Sequence, residues 1–324
     1  MATPETAGAY GVARQFANMD ILCKRVIASG ANVLAQPEFL TGNVFYVDSG
    51  VAASGDGSSP ALAVSTLDAA VALCTANNGD KIIVLPGHAE TLIAADQIDL
   101  DVAGIRVIGL GVGATRPTFT YTVAAGEITV GADNVTIENI RCVSSVTAVL
   151  KAINVEAGVD YTTIRGCEFT VEATGTDEFN ATIYFEDNNT GFLVEGNTIH
   201  MGLGGAVAAI HMDADTSYGQ IIGNYITGDY STACIVGDTT LSTNILIKGN
   251  LLVQGVGGNI GTEPAIELLT NTTGIIADNY IVCNVAAPAN SIVADQCFLF
   301  ENYYTETVST GDAASGVLIG LDTP

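Results

Sequence analysis

Ile221-Ile-Gly-Asn224-Tyr-Ile226, Ile247-Lys-Gly-Asn250-Leu-Leu252 and Ile276-Ala-Asp-Asn279-Tyr-Ile281 are one phrase written three times, with starts 26 and 29 residues apart. Working outward, the phrase recurs upstream as Val194-Glu-Gly-Asn197-Thr-Ile199 and downstream as Leu299-Phe-Glu-Asn302-Tyr-Tyr304. Weaker copies precede it: Ile164-Arg-Gly-Cys167-Glu-Phe169 puts Cys in the Asn slot, and Ile137-Glu-Asn-Ile140-Arg-Cys142 and Val107-Ile-Gly-Leu110-Gly-Val112 begin the series. A second apolar alternation lies between the copies, at Ile128, Ile153, Ile183, Ile210, Ile235, Ile266 and Ile319. Period-two alternation broken by Gly-Asn corners is strand chemistry, and like strands recurring at one fixed distance must each stack on their own copy in the next coil. The predicted fold is therefore all-β, a right-handed parallel β-helix of roughly nine coils beginning near residue 80.

Asn197, Asn224, Asn250, Asn279 and Asn302 are expected to form a structural ladder at one corner. Asn tolerates the φ > 0 that a tight corner needs, and amides stacked about 4.8 Å apart can hydrogen-bond along the column.

Composition agrees with many short buried strands. The chain is 48% hydrophobic and 14% charged, with 36 Gly and no Trp, leaving too few charged residues to wet long surface helices. A net charge of -25 would repel phosphate backbones and anionic membranes, so neither nucleic acid nor membrane is an expected partner. Arg14, Lys24 and Arg25 balance Glu5, Asp20 and Glu38 within the first forty residues, so the remainder carries the whole deficit. Seven scattered cysteines without a CxxC pair favour buried thiols over a disulfide framework or a zinc site. The N-terminal MATPETAGAYG lacks a basic and then apolar leader, and no stretch approaches 18 apolar residues, so a soluble protein without a cleaved signal is expected.

The organisation read from these features is an N-terminal arm over residues 1–45 and one β-helix over 46–324. A capping helix is expected at 65–76, with Leu67, Ala70, Val71 and Cys74 on one face and Ser65 as its cap, since a solenoid must cover its open end. In the arm, Phe16, Met19, Ile21, Leu22 and Val26 outline a short amphipathic helix, and Arg14, Phe16, Lys24 and Arg25 are the candidate docking residues.

The stretch VSTLDAAVALCTANNGDKIIVLPGHAETL (64–92), an Ala-rich helix, a Gly-Asp turn, an apolar strand and a HAET tail, resembles the opening module of the pectate-lyase-like superfamily of right-handed β-helices. The preceding NVFYVDSGVAASGDGSSPALAVSTLDAAV (43–71) resembles a stretch of β-helical virion proteins of tailed bacteriophages. The superfamily hosts lyases, glycoside hydrolases, tailspikes and inert virion proteins, so fold alone does not assign activity.

For chemistry, the chain offers an acidic column three residues after each leading Ile: Glu156, Glu186, Asp213, Asp238 and finally Asp322. Three readings stand beside each other. These acids are wet residues at strand exits; or Asp213, Asp215 and Asp238 form a cation-binding row; or Glu186, Asp187, Asp213 and Asp238 include a catalytic pair. His88, His200 and His211 are read as surface or turn histidines, with His211 beside Asp213 the one to test. Basic residues are sparse near the column, Lys151 excepted, and only Tyr184 and Tyr225 offer themselves as sugar platforms. No cofactor and no metal are assigned.

The resemblance and the sparse chemistry together imply a structural virion protein, a capsid-decorating (cement) protein on the capsid surface. Its expected partner is the major capsid protein or another virion component, and the resemblance implies a homotrimer. The alternatives are a tailspike or secreted polysaccharide lyase or hydrolase using Glu186, Asp213 and Asp238, and a glycan-binding adhesin without turnover.

Overall fold

The computed structural model describes residues 42–172, 177–202, 205–238, 242–256, 259–285, 287–305 and 317–319. Among them the chain is an all-β parallel solenoid of about eight turns, with very little helix. The arm residues Arg14, Phe16, Lys24 and Arg25, and Asp322 of the acidic column, lie outside the described residues. The first strand, Val44–Val47, already pairs in parallel with Lys81–Val84, so the solenoid begins inside the stretch assigned to the arm.

Each turn presents three faces. The first stacks Arg106–Gly109, Thr136–Glu138, Thr163–Arg165, Leu193–Glu195, Gln220–Ile222 and Ile245–Lys248 in sequence, all parallel. The second runs from Ala89–Leu92 through Arg141–Ser144, Thr198–His200 and Tyr225–Gly228 to Asn302–Thr305. The third carries Ile128–Val130, Val149–Val155, Phe179–Asp187, Ala208–Ala214 and Ala233–Gly237. Ile266–Ala277 joins third to first face as a single 12-residue strand that pairs with Ala233–Gly237 at one end and Ile245–Lys248 at the other.

The repeat phrases fall in register. Val107, Ile137, Ile164, Val194, Ile221, Ile247, Ile276 and Leu299 succeed one another on the first face. Ile128, Ile153, Ile183, Ile210, Ile235 and Ile266 do so on the third, and these six are wholly buried. Each such side chain removed from water contributes about 1.5–3 kcal/mol, so these interior columns are the main source of stability. The third-face column continues at Ile292, not Ile319: Val317–Ile319 instead pairs antiparallel with Asn302–Thr305. Antiparallel pairing there ends the run of parallel strands on the second face.

At the corner between first and second faces, Asn197, Asn224, Asn250, Asn279 and Asn302 are buried and bonded in series. The Nδ2 of Asn224 donates to Val194 O of the preceding coil at 2.9 Å and to Asn250 Oδ1 of the next at 3.0 Å, and Asn250 Oδ1 also accepts the Asn224 backbone N–H at 2.9 Å. The same pattern repeats from Asn197 to Asn302. The left-handed residue is not the Asn, as the sequence reading has it, but its predecessor: Gly196, Gly223 and Gly249 have φ of 61, 63 and 65°, while Asp278 and Glu301 take 57 and 48°. The division of labour follows from geometry. The turn favours a residue with little Cβ penalty, and the amide must stay in the column to bond the corner N–H and a strand carbonyl of the preceding coil.

The helix expected over 65–76 is a single turn, Leu67–Val71, capped by Thr66 rather than Ser65: Thr66 Oγ1 accepts from Ala69 N–H at 3.3 Å. Two buried carboxylates bracket it, one at its first residue and one past its end. Glu90 Oε2 takes the Leu67 N–H at 2.9 Å, and Asp80 takes Thr75 N–H at 2.7 Å and Asn43 N–H at 2.6 Å. His88, read as a surface or turn residue, is buried: its Nδ1 accepts the Ser49 N–H at 2.9 Å, which leaves the Nε2 proton for Glu90 at 3.2 Å. Cys142, Cys167, Cys234 and Cys283 are buried free thiols, and burial pushes the Cys167 thiol up to about 12.

Candidate functional site

On the third face the outward positions of neighbouring rungs are Asn154, Tyr184, His211, Val236 and Glu267. One residue beyond the inward Val155, Phe185, Met212 and Gly237 come Glu156, Glu186, Asp213 and Asp238, so the acidic column is a physical column. Its members nevertheless do three different things.

Glu186 is engaged. Its Oε1 accepts from Lys151 Nζ and from Asn154 Nδ2, each at 3.1 Å, and Lys151 also donates to Asn154 Oδ1 at 3.0 Å while its Nζ stands 4.2 Å from the Tyr184 ring centre. Burial raises the Glu186 carboxyl, but the Lys151 and Asn154 hydrogen bonds outweigh it and hold the group below the usual range. A carboxylate so stabilised is a poor general acid.

Asp213 and Asp238 gather around His211. His211 Nε2 lies 3.2 Å from Asp238 Oδ2, and one ligating atom from each of the three residues falls within a 4.8 Å span. Tyr184 packs edge-on against the imidazole, ring centres 4.9 Å apart at 70°. Its phenol is raised, first by burial and then by the neighbouring Asp213 carboxylate, with the charges of Glu186 and Asp238 adding to it. Asp215, placed in the cation row by sequence, sits instead at a corner with φ of 44°, and His211 takes its place in the cluster. Asp187 is exposed at the end of its strand.

Glu156 stands apart, toward Asp99: a Cβ added to Gly131 would be 3.0 Å from Glu156 Oε2 and 3.3 Å from Asp99 Oδ1. Asp99 is raised by burial and then by Asp101, Glu156, Asp68 and Asp96, with its Oδ1 buried and unpaired. The arginines serve other faces. Arg106 and Arg165 converge on Glu138, and Arg116 and Arg141 on Glu168.

Sequence reasoning missed an exposed apolar stripe on the second face. Tyr225, Leu251, Tyr280 and Tyr303 succeed one another outward on neighbouring rungs, with Tyr280 and Tyr303 stacked at 5.2 Å and 13°. Around the Asn corner, Ile275, Phe298 and Phe300 are also exposed on the first face. The signal was present: the stripe is the variable position after each ladder Asn.

The acids imply a pH dependence. Glu127 is raised by burial, and Glu267 by burial and then by Glu263 and Asp238, as Asp99 is by its own neighbours. A carboxyl raised in the folded state holds its proton more tightly there than in the unfolded chain, so its contribution falls as pH climbs from the ordinary 3.8–4.5 through the raised range. Glu186, which is lowered, opposes this. Three raised, partly buried carboxyls against two lowered ones, Glu186 and the fully exposed Asp56, set the expected sign: thermal melts taken as pH is lowered from neutrality toward the carboxylate range show a rising midpoint, with a shallower slope in Asp99→Asn. A midpoint that falls over that interval contradicts the balance.

Comparison of the chain with protein-family models, with curated proteins and with solved structures finds no match.

Proposed function

We propose that this chain is a structural virion protein of a tailed bacteriophage, a capsid-decorating protein built on a right-handed β-helix of the pectate-lyase-like kind. The observation that carries the reading is the exposed stripe Tyr225, Leu251, Tyr280 and Tyr303, backed by a fully bonded Asn ladder: a parallel solenoid with an apolar strip along one face is suited to assembly. The sequence resemblance of residues 43–71 supplies the virion context, and the general preference of parallel crossovers supplies the hand. In this reading residues 1–45 dock to the major capsid protein through Arg14, Phe16, Lys24 and Arg25, and copies of the chain associate as trimers.

The polysaccharide-cleaving alternative draws on Glu186, Asp213 and Asp238. Against it, Glu186 is tied to Lys151 at 3.1 Å and held below the usual carboxylate range, which makes it a poor proton donor.

Quantitative mass spectrometry of purified particles tests the proposal. The chain should be present at a copy number comparable to that of the capsid subunit, and particles assembled with a chain lacking residues 1–40 should lose it while the truncated chain keeps its β-sheet spectrum. Absence from particles, or release of new reducing ends or unsaturated products from a polysaccharide panel that disappears in Asp213→Ala, refutes the structural role in favour of an enzyme.

A further inference from the structure

We propose that His211, Asp213 and Asp238 bind a divalent transition-metal ion of the Zn2+ class on the outward side of the third face. The claim is independent of the virion reading and concerns only what these side chains hold.

The placement follows from the strand. His211 and Asp213 are two residues apart on Ala208–Ala214, so their side chains leave the same side of the sheet. Asp238 follows Gly237, which pairs with Met212, so it rises one rung over from Asp213. Two adjacent rungs thus deliver three donors whose ligating atoms fall within 4.8 Å of one another, before any ion draws them together. Zn2+ bonds of about 2.0–2.2 Å to nitrogen and oxygen require donors roughly 3–3.5 Å apart, a contraction that rotation about the carboxylate torsions supplies.

The surroundings favour a cation with affinity for imidazole. Tyr184 packs edge-on against the His211 ring, ring centres 4.9 Å apart, so one of the three donors is held in orientation by a residue that does not itself ligate, the usual companion of a metal-binding set. His211 is largely withdrawn from water, its side chain 12% exposed, in a cluster that brings two carboxylates to one imidazole. Glu267 and Glu263 add negative potential beside Asp238, while the nearby Lys151 is bonded to Glu186. Nitrogen with two carboxylate oxygens suits Zn2+ or Mn2+; Ca2+ prefers six to eight oxygens, more than this cluster offers. Three protein donors leave a fourth position for water.

Titration calorimetry on chelator-treated, tag-free protein with ZnCl2 tests the site. The expected result is one saturating Zn2+ per chain, weakened at least about 100-fold in His211→Ala and in Asp238→Asn, unchanged in Glu156→Gln, and not displaced by equimolar Ca2+. Circular dichroism melts of the variants establish that they remain folded. The proposal is overturned if no saturable binding occurs, if His211→Ala binds as the parent does, which would assign the ion to His200 or elsewhere, or if Ca2+ competes on equal terms, which would mean an oxygen-only site.

Discussion

Asn250→Ala lowers the unfolding free energy by about 3 kcal/mol, an effect shared by the other inner rungs Asn224 and Asn279, which make the same four bonds. The side chain is fully buried and makes four bonds. Its Nδ2 donates to Ile221 O at 3.0 Å and Asn279 Oδ1 at 2.9 Å, and its Oδ1 accepts the Asn224 N–H at 2.9 Å and Asn224 Nδ2 at 3.0 Å. Two of the four partners have somewhere else to turn: Asn224 Nδ2 keeps Val194 O, and Asn279 Oδ1 keeps the Asn250 N–H. A third, the Ile221 carbonyl, stays in the parallel ladder with Ile245–Lys248, so only the Asn224 N–H is left orphaned in the interior, at about 1–3 kcal/mol, to which the other lost bonds add a net of about 0.5 kcal/mol each. Asn250→Asp separates bonding from packing, because it keeps the volume. One carboxylate oxygen still accepts from Asn224, but the other faces two acceptors, so the variant is destabilised at neutral pH and recovers as the carboxyl is protonated. Guanidinium unfolding read by far-ultraviolet dichroism, together with hydrogen exchange at the Asn224 amide, measures both. A shift below about 1 kcal/mol in Asn250→Ala would mean that water replaces the amide. The converse change is Cys167→Asn. Cys167 already donates its N–H to Asn197 Oδ1 at 2.9 Å, and its thiol, 3.4 Å from Arg165 O, reaches Ile137 O only at 3.9 Å, where an amide would donate. That variant is expected to gain about 1 kcal/mol.

The parts of the fold that were legible in the sequence are those governed by period and burial. Ile137, Ile164, Val194, Ile221, Ile247 and Ile276 could be aligned by spacing alone because an interior rung tolerates little but an aliphatic side chain, and they pair rung by rung in the structure. What could not be read was decided by contacts between coils. The one-turn helix is bracketed by Glu90 and Asp80, which the chain meets only after the turn closes. His88 is buried because Ser49, thirty-nine residues earlier, presents an amide to it. In the candidate site, spacing put Asp213 and Asp238 in one column, but it did not show that His211 reaches diagonally to Asp238 while Lys151, in register with Ala181, reaches along the neighbouring strand to Glu186. Those choices belong to rotamers, and alternation carries no information about them.

Gly274→Ala is expected to cost about 3 kcal/mol or more, although the position is neither left-handed nor part of the Asn corner. A Cβ there would lie 2.0 Å from Ile245 O, 2.8 Å from Ile245 N and 2.9 Å from Ile245 C, all backbone. No side chain can swing aside, so the two coils must part. The site is where parting is least tolerated: Gly274 pairs with Ile245 on one side and Cys297 on the other, just past the register shift at which Ile266–Ala277 turns from third face to first. Separation there strains the bonds that hold 274–277 against Ile245–Lys248, and with them the following strand Ile292–Phe300. Gly249→Ala is the control. Its φ of 65° is left-handed but its Cβ would meet nothing within 4 Å, so only the conformational penalty of about 1–2 kcal/mol applies. Denaturation midpoints of the two variants rank close approach against backbone strain. Hydrogen exchange adds the location, with Gly274→Ala loosening amides in Ile292–Phe300 and Gly249→Ala leaving them protected. If Gly249→Ala proves the more damaging, the corner conformation and not the spacing of coils limits the stack.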